Sequence, residues 1–144
     1  MSKEIAVEQY NRCWELLERE SLSNEEQAEL ITAAFASRFH WSPIGKDMNL
    51  AIADWMVSRA AVALGDPVLC VQFALLAVER TESSDMPMWM KASAYEGLAR
   101  AYSVSGEGDL RDDCIQKASD YLQLETDEED REVIASQLAT VPRN

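Results

Sequence analysis

The chain has 144 residues, the length of one domain, and a domain of that size buries about 68–70% of its unfolded surface, so neither disulfides nor a metal is needed to hold it together. Its 47% apolar and 27% charged residues are the make-up of a globular protein, and only five glycines and four prolines leave long unbroken stretches that favour helices over many short strands. The net charge of −13 sits mostly at the two ends, with eight acids against two bases over residues 4–29, eleven against three over 107–132, and seven against six over 33–106; such a field repels phosphate backbones and anionic lipid, so nucleic acid and membrane surfaces are excluded as expected partners.

In chain order the apolar spacing predicts seven helices. Ile5, Tyr10, Cys13, Trp14 and Leu17 form the stripe of a first helix from about Lys3 to Glu20. Met1-Ser2-Lys3-Glu4 opens directly into this acidic amphipathic stretch, which does not read as a signal peptide. Ser23 and Glu26 have the spacing of a capping box, and the second helix they start runs through Ile31, Phe35 and Phe39 to Trp41. Ser42-Pro43-Ile44-Gly45 breaks the chain, and Asp47 is the expected cap of a third helix that ends at Gly65.

Asp66-Pro67 then restarts the chain as N-cap and first helical residue. The fourth helix is apolar nearly all round from Val68 to Val78, which predicts a place at the centre of the stack; the run is broken by Gln72 and falls far short of the ~20 residues that span a membrane. Asp85 is the expected cap of a fifth helix, with Pro87 in its first turn and Gly106 at its end. Asp109 opens a sixth, and Thr126 with Glu129 reads as the capping box of a seventh, whose Val133, Ile134 and Leu138 face one side. The tail Pro142-Arg143-Asn144 is expected to fray. Three dispersed cysteines, Cys13, Cys70 and Cys114, form no C-x-x-C pair; they read as small core residues of a protein in a reducing cytoplasm.

Arg59-Ala60 followed by Gly65 recurs as Arg100-Ala101 followed by Gly106, an offset of 41 residues that Ala53 and Ala94 share, and a period in that range with two helices per unit marks a helical solenoid. The stretch from Val57 to Asp66 resembles the helix-and-turn core of a tetratricopeptide repeat, with Cys70 and Ala77 where that repeat places alanines. Leu98 to Glu107 resembles it again and includes its tyrosine at Tyr102, while Trp14 and Leu17 are what the first hairpin keeps. Phe39-His40-Trp41 and Asp127 to Asp130 are further similar to a family of small, uncharacterised bacterial tetratricopeptide-like proteins. The resemblance implies antiparallel hairpins stacked as a short right-handed superhelix, with the first helix of each pair lining a concave groove. Carried over position by position, it puts Ile52, Trp55 and Arg59 in that groove from one pair and Ser93, Glu96 and Arg100 from the next.

Two aligned arginines beside a tryptophan suit bidentate contact with a carboxylate, and Glu96 four residues before Arg100 suits an internal ion pair; both readings stand at this point. The family's peptide-carboxylate clamp uses lysines and asparagines, which Met56 and Gly97 do not supply. His40, the sole histidine, lacks the partners of a metal or nucleophile site, and a helix C-terminus favours its imidazolium. The alternating methionines of Met86 to Met90 lie two apart and share no helix face, and Thr126 to Asp130 lacks the ligand spacing of a calcium loop. No residue pattern here calls for a cofactor, a metal or catalysis. The expected function is therefore a non-enzymatic module that holds a protein or peptide, basic to suit the acidic chain, through Trp55, Arg59, Glu96 and Arg100. One alternative is a small-molecule sensor or minor enzyme with a pocket under Phe39-His40-Trp41, to which Asn49, Arg59 and Arg100 add polar contacts; the other is a homo-oligomer built on the apolar outer faces of the terminal hairpins.

Overall fold

The computed structural model describes residues 1–143, and among these every regular element is a helix. The elements are α1 (Ser2–Leu17), α2 (Asn24–Trp41), α3 (Asp47–Leu64), α4 (Pro67–Glu82), α5 (Met88–Val104), α6 (Gly108–Leu124) and α7 (Glu128–Leu138). Short loops join α1 to α2, α3 to α4 and α5 to α6 as antiparallel hairpins, which stack in chain order, and α7 packs on α5 and α6. The first helices of successive pairs also touch, α1 on α3, α3 on α5 and α5 on α7, so the odd-numbered helices form one continuous face.

The capping chemistry explains most of the boundaries. At α2 the Ser23 hydroxyl accepts from the Glu26 amide while the Glu26 carboxylate accepts from the Ser23 amide. At α4 the Asp66 carboxylate accepts from Leu69 N with Pro67 in the first turn, and Gly65 ends α3 at φ 71°, a conformation that costs other residues a Cβ clash. Three caps differ from the expectation. Asn49, not Asp47, satisfies the start of α3, by accepting from the Lys46 amide. The start of α5 is Pro87 rather than Asp85, with the Trp89 amide donating to the side chain of Glu125, just past the end of α6. Asp127, not Thr126, caps α7 by accepting from Asp130 N. More than one polar side chain lies within reach of each of these sites, and which one turns onto the free amides depends on where the preceding loop leaves the chain.

Small residues set the spacing inside the stack. Ala53, Ala60, Ala74, Ala77, Ala92, Ala99, Ala101 and Ala118 are buried, and they bring the helices close around a small cluster of Ala92, Leu122 and Ile134 and two larger cores. One gathers Leu16, Leu30, Met56, Val57 and Phe73; the other gathers Cys70, Tyr95, Leu98, Cys114 and Ile115. All three cysteines are buried, and burial pushes the Cys13 thiol up to about 12 and the Cys114 thiol up to about 11, which leaves them packing groups. The fourth helix is not enclosed all round as its composition predicts, since Val68 is 75% exposed on its outer side and Leu75 is also exposed. The tail is docked rather than frayed as far as it is described: Val141 is buried and the Pro142 carbonyl accepts from Ser103; Asn144 lies outside the described residues.

Candidate functional site

The face made by the odd-numbered helices carries a cavity of about 230 Å³. Tyr10 and Trp14 of α1 form one wall, Ile52 and Trp55 of α3 and Trp89 of α5 the floor, and Val133 of α7 the opposite wall. Because α1 and α7 do not pack on each other, the space between them stays open to the groove. Trp14 and Trp55 lie with ring centroids 5.7 Å apart, tilted by 35°. Thr81, Ser93 and Gln137 supply the polar edge, so the cavity offers aromatic faces with few hydrogen-bonding groups.

Trp55 is positioned by a missing side chain. A Cβ on Gly97 would stand 2.8 Å from Trp55 Cδ1 and 2.9 Å from its Nε1, so glycine at this point of α5 lets the indole edge lie against the helix backbone. One turn further along the same two helices, Arg59, Glu96 and Arg100 meet. Glu96 is fully buried, and its Oε2 accepts from Arg100 Nε at 2.9 Å. Arg100 also donates through Nη2 to the Gln137 carbonyl at 3.0 Å and to Thr140 Oγ1 at 2.8 Å, so it is committed to holding α7. Arg59 Nη1 is 3.7 Å from the same Glu96 oxygen, beyond hydrogen-bond reach, and its guanidinium lies 5.9 Å from the Trp55 ring centroid.

Three buried polar atoms in this cluster have no hydrogen-bond partner among the described residues: Trp55 Nε1, Arg59 Nη1 and Glu96 Oε1. One carboxylate therefore serves two guanidiniums, and the site keeps an excess positive charge in an acidic protein. Burial, and next the charge of Arg100, lower the Arg59 pKa, with Glu96 opposing. Arg59 makes no hydrogen bond among the described residues and its side chain remains a quarter exposed, but unlike Trp55 it does not line the cavity.

The other expected site residues lie further along. Trp41 and Asn49 line a second cavity of about 170 Å³ with Val7, Tyr10 and Ile52, and since Tyr10 and Ile52 belong to both cavities the two share a wall. The Asn49 side-chain oxygen is already used in capping α3. His40 lines neither cavity; it sits edge-on to Phe39 with centroids 5.5 Å apart. The Met86–Met90 string divides its work, with Met86 and Met90 buried in packing, and among the described residues no group of three His, Cys, Asp or Glu is placed to hold a metal ion.

A second arginine cluster was not foreseen. Asp54 of α3 is fully buried and faces away from the groove, where its Oδ1 accepts from Arg38 Nε of α2 at 2.6 Å and its Oδ2 from Arg80 Nε of α4 at 2.7 Å. A lone aspartate inside the otherwise apolar stretch of residues 51–57 was the available signal; its partners, 16 and 26 residues away, follow no short-range spacing. No protein-family model matches the sequence, and no curated protein or solved structure matches it either.

Proposed function

We propose that this protein is a non-enzymatic, tetratricopeptide-like binding module of the cytoplasm that holds a peptide segment of another protein in the groove of its odd-numbered helices. In this reading one large apolar side chain of the segment enters the cavity between Trp14, Trp55 and Trp89. A neighbouring acceptor, a carbonyl or carboxylate oxygen, meets the N–H groups of Arg59. Basic residues flanking that anchor face the acids of the terminal helices, of which Glu128, Glu129 and Asp130 open α7.

The observation that carries the reading is a tryptophan-lined cavity with, one turn beyond Trp55, an arginine that makes no hydrogen bond among the described residues. A volume of about 230 Å³ exceeds the ~150 Å³ of a cavity that takes up benzene, so it suits one aromatic or branched side chain. Burying such an anchor is worth roughly 1.5–3 kcal/mol, and aromatic anchors in pockets dominate protein interfaces.

Selection from a displayed library of random peptides tests the proposal. The expected result is enrichment of segments with one large apolar residue flanked by basic ones, and a loss of binding of about tenfold or more in Ser93→Trp, which fills the cavity from its partly open edge. Enrichment of peptides that bind Ser93→Trp equally well would sink the proposal. A free aromatic compound that saturates the cavity while no peptide is enriched would replace the proposal with the small-molecule reading.

A further inference from the structure

The cluster around Asp54 has an outward side that nothing in the fold uses. Each guanidinium spends only its Nε on the aspartate, and the Nη groups of Arg38 and Arg80 have no hydrogen-bond partner among the described residues. Both side chains are about 30% exposed, at 30% and 29%, and Asp54 is the one carboxylate within ion-pair distance of either among those residues. Two cations are thus bound to the two oxygens of a single anion, and the cluster carries a net charge of +1 at the surface. Arg38 is further fixed by the Phe73 ring, whose centroid lies 5.2 Å from its guanidinium carbon, and Phe73 is held edge-on by Phe35 at 5.4 Å. The pair is therefore preorganised, which removes much of the ordering cost of binding.

The corresponding place in the next repeat shows that the stack does not require this arrangement. At the 41-residue offset, Asp54 becomes Tyr95 and Arg80 becomes Tyr121. These tyrosines stack with centroids 6.0 Å apart and both donate to Glu82, at 3.3 and 2.7 Å. Helices of the second and third hairpins are thus joined through one carboxylate, and the cations of this valley, Lys91 and Lys117, lie over the Tyr121 and Tyr95 rings at 5.6 and 5.3 Å and present no guanidinium fork. The first valley instead has two arginines and, beside them, an exposed apolar edge: Phe35 at 38% and, one turn on along the same face of α2, Phe39 at 73% exposure.

We infer that Arg38 and Arg80, braced from below by Asp54, form a binding site for the phosphoryl group of an aromatic phosphomonoester, with Phe35 and Phe39 covering its organic part. Guanidinium forks match phosphate oxygens, and two forks exceed what one further carboxylate engages. The −13 charge of the chain repels a bare anion at long range, so the apolar contact is part of what holds the ligand.

Phenyl phosphate, benzoate and inorganic phosphate are the probes, followed through the Arg38 and Arg80 Nε–H resonances in nitrogen-15 spectra. The expected result is a saturable shift of both resonances by phenyl phosphate, with affinity about tenfold or more above that of benzoate and of inorganic phosphate. Arg80→Lys, which keeps a cation for Asp54 but no fork, is expected to weaken phenyl phosphate binding about tenfold with unchanged circular dichroism. If that variant does not fold, Arg38→Lys serves the same purpose. A phosphotyrosine peptide and adenosine monophosphate then distinguish a protein-borne from a nucleotide-borne phosphoryl group, according to which binds more tightly. Resonances that do not move, benzoate binding as tightly as phenyl phosphate, or lysine variants that bind undiminished would each overturn the inference.

Discussion

The molecule holds two clusters in which two arginines share one fully buried carboxylate, and they are built differently. Around Asp54 the sharing is symmetric: each oxygen takes one Nε, at 2.6 and 2.7 Å, and both arginines reach the surface. Around Glu96 it is unequal, since Arg100 takes the near oxygen at 2.9 Å, Arg59 stays at 3.7 Å, and Glu96 Oε1 has no partner. A carboxylate taken out of water needs close, well-aligned donors to offset its desolvation. Asp54 has two such donors from separate helices. Glu96 has one, from its own helix, and that donor is itself tied to α7 by two more hydrogen bonds. The first cluster is hydrogen-bonded on its inner side and open outward; the second is short of partners inside, and the deficit falls on Arg59, one turn beyond Trp55.

If this contrast is right, the largest single loss comes from Arg100→Ala. It removes the only hydrogen bond that the fully buried Glu96 carboxylate receives among the described residues and frees the end of α7, and breaking a buried pair from one side costs about 3–5 kcal/mol. Urea unfolding should show that loss as a lower midpoint; a change below about 1 kcal/mol would mean that Arg59 swings in to replace it. The symmetric cluster should respond more mildly. Arg38→Ala and Arg80→Ala each leave Asp54 one strong donor, so each should cost about 1.5–3 kcal/mol, with Arg38→Ala the larger by about 0.5–1 kcal/mol because it also loses the Phe73 ring. A larger cost for Arg80→Ala would show that its bond carries the aspartate alone.

The parts of this architecture that were legible in the sequence are those encoded locally. Ser23 with Glu26, Gly65, and Asp66 with Pro67 announce helix ends because each satisfies or releases backbone groups within three or four residues of itself. The groove residues Ile52, Trp55 and Ser93 line the cavity because helical periodicity places them on the face that repeats. What was not legible depends on distant neighbours. Trp14, Trp89 and Val133 join the cavity only through the stacking of three separate hairpin elements. Asp54 meets arginines on two other helices, and Arg100 is diverted from the groove by the carbonyl and hydroxyl of a C-terminal segment 37 and 40 residues away. Spacing identified the arginines as a matched pair; only the docking of α7 makes them unequal.

Two smaller effects sharpen the comparison on the groove side. Gly97→Ala puts a Cβ 2.8 Å from the Trp55 ring, so either the indole or α5 must shift, at a cost of about 1–3 kcal/mol. The displaced tryptophan should change the near-ultraviolet circular dichroism while the helical signal stays constant. Arg59→Ala should cost least. Arg59 has no hydrogen bond to lose, its contact with Glu96 is long, and burial together with Arg100 already disfavours its charge, so the expected change is about 0–1 kcal/mol. Binding of a selected peptide by the same variant should fall about tenfold, because an acceptor that met Arg59 loses a charged donor. A residue kept for packing would give the opposite pattern, with stability lost and affinity kept. The ratio of these two effects in one variant therefore separates a cation held for the fold from a cation held for a ligand, and Arg100, which should lose stability first, is its internal control.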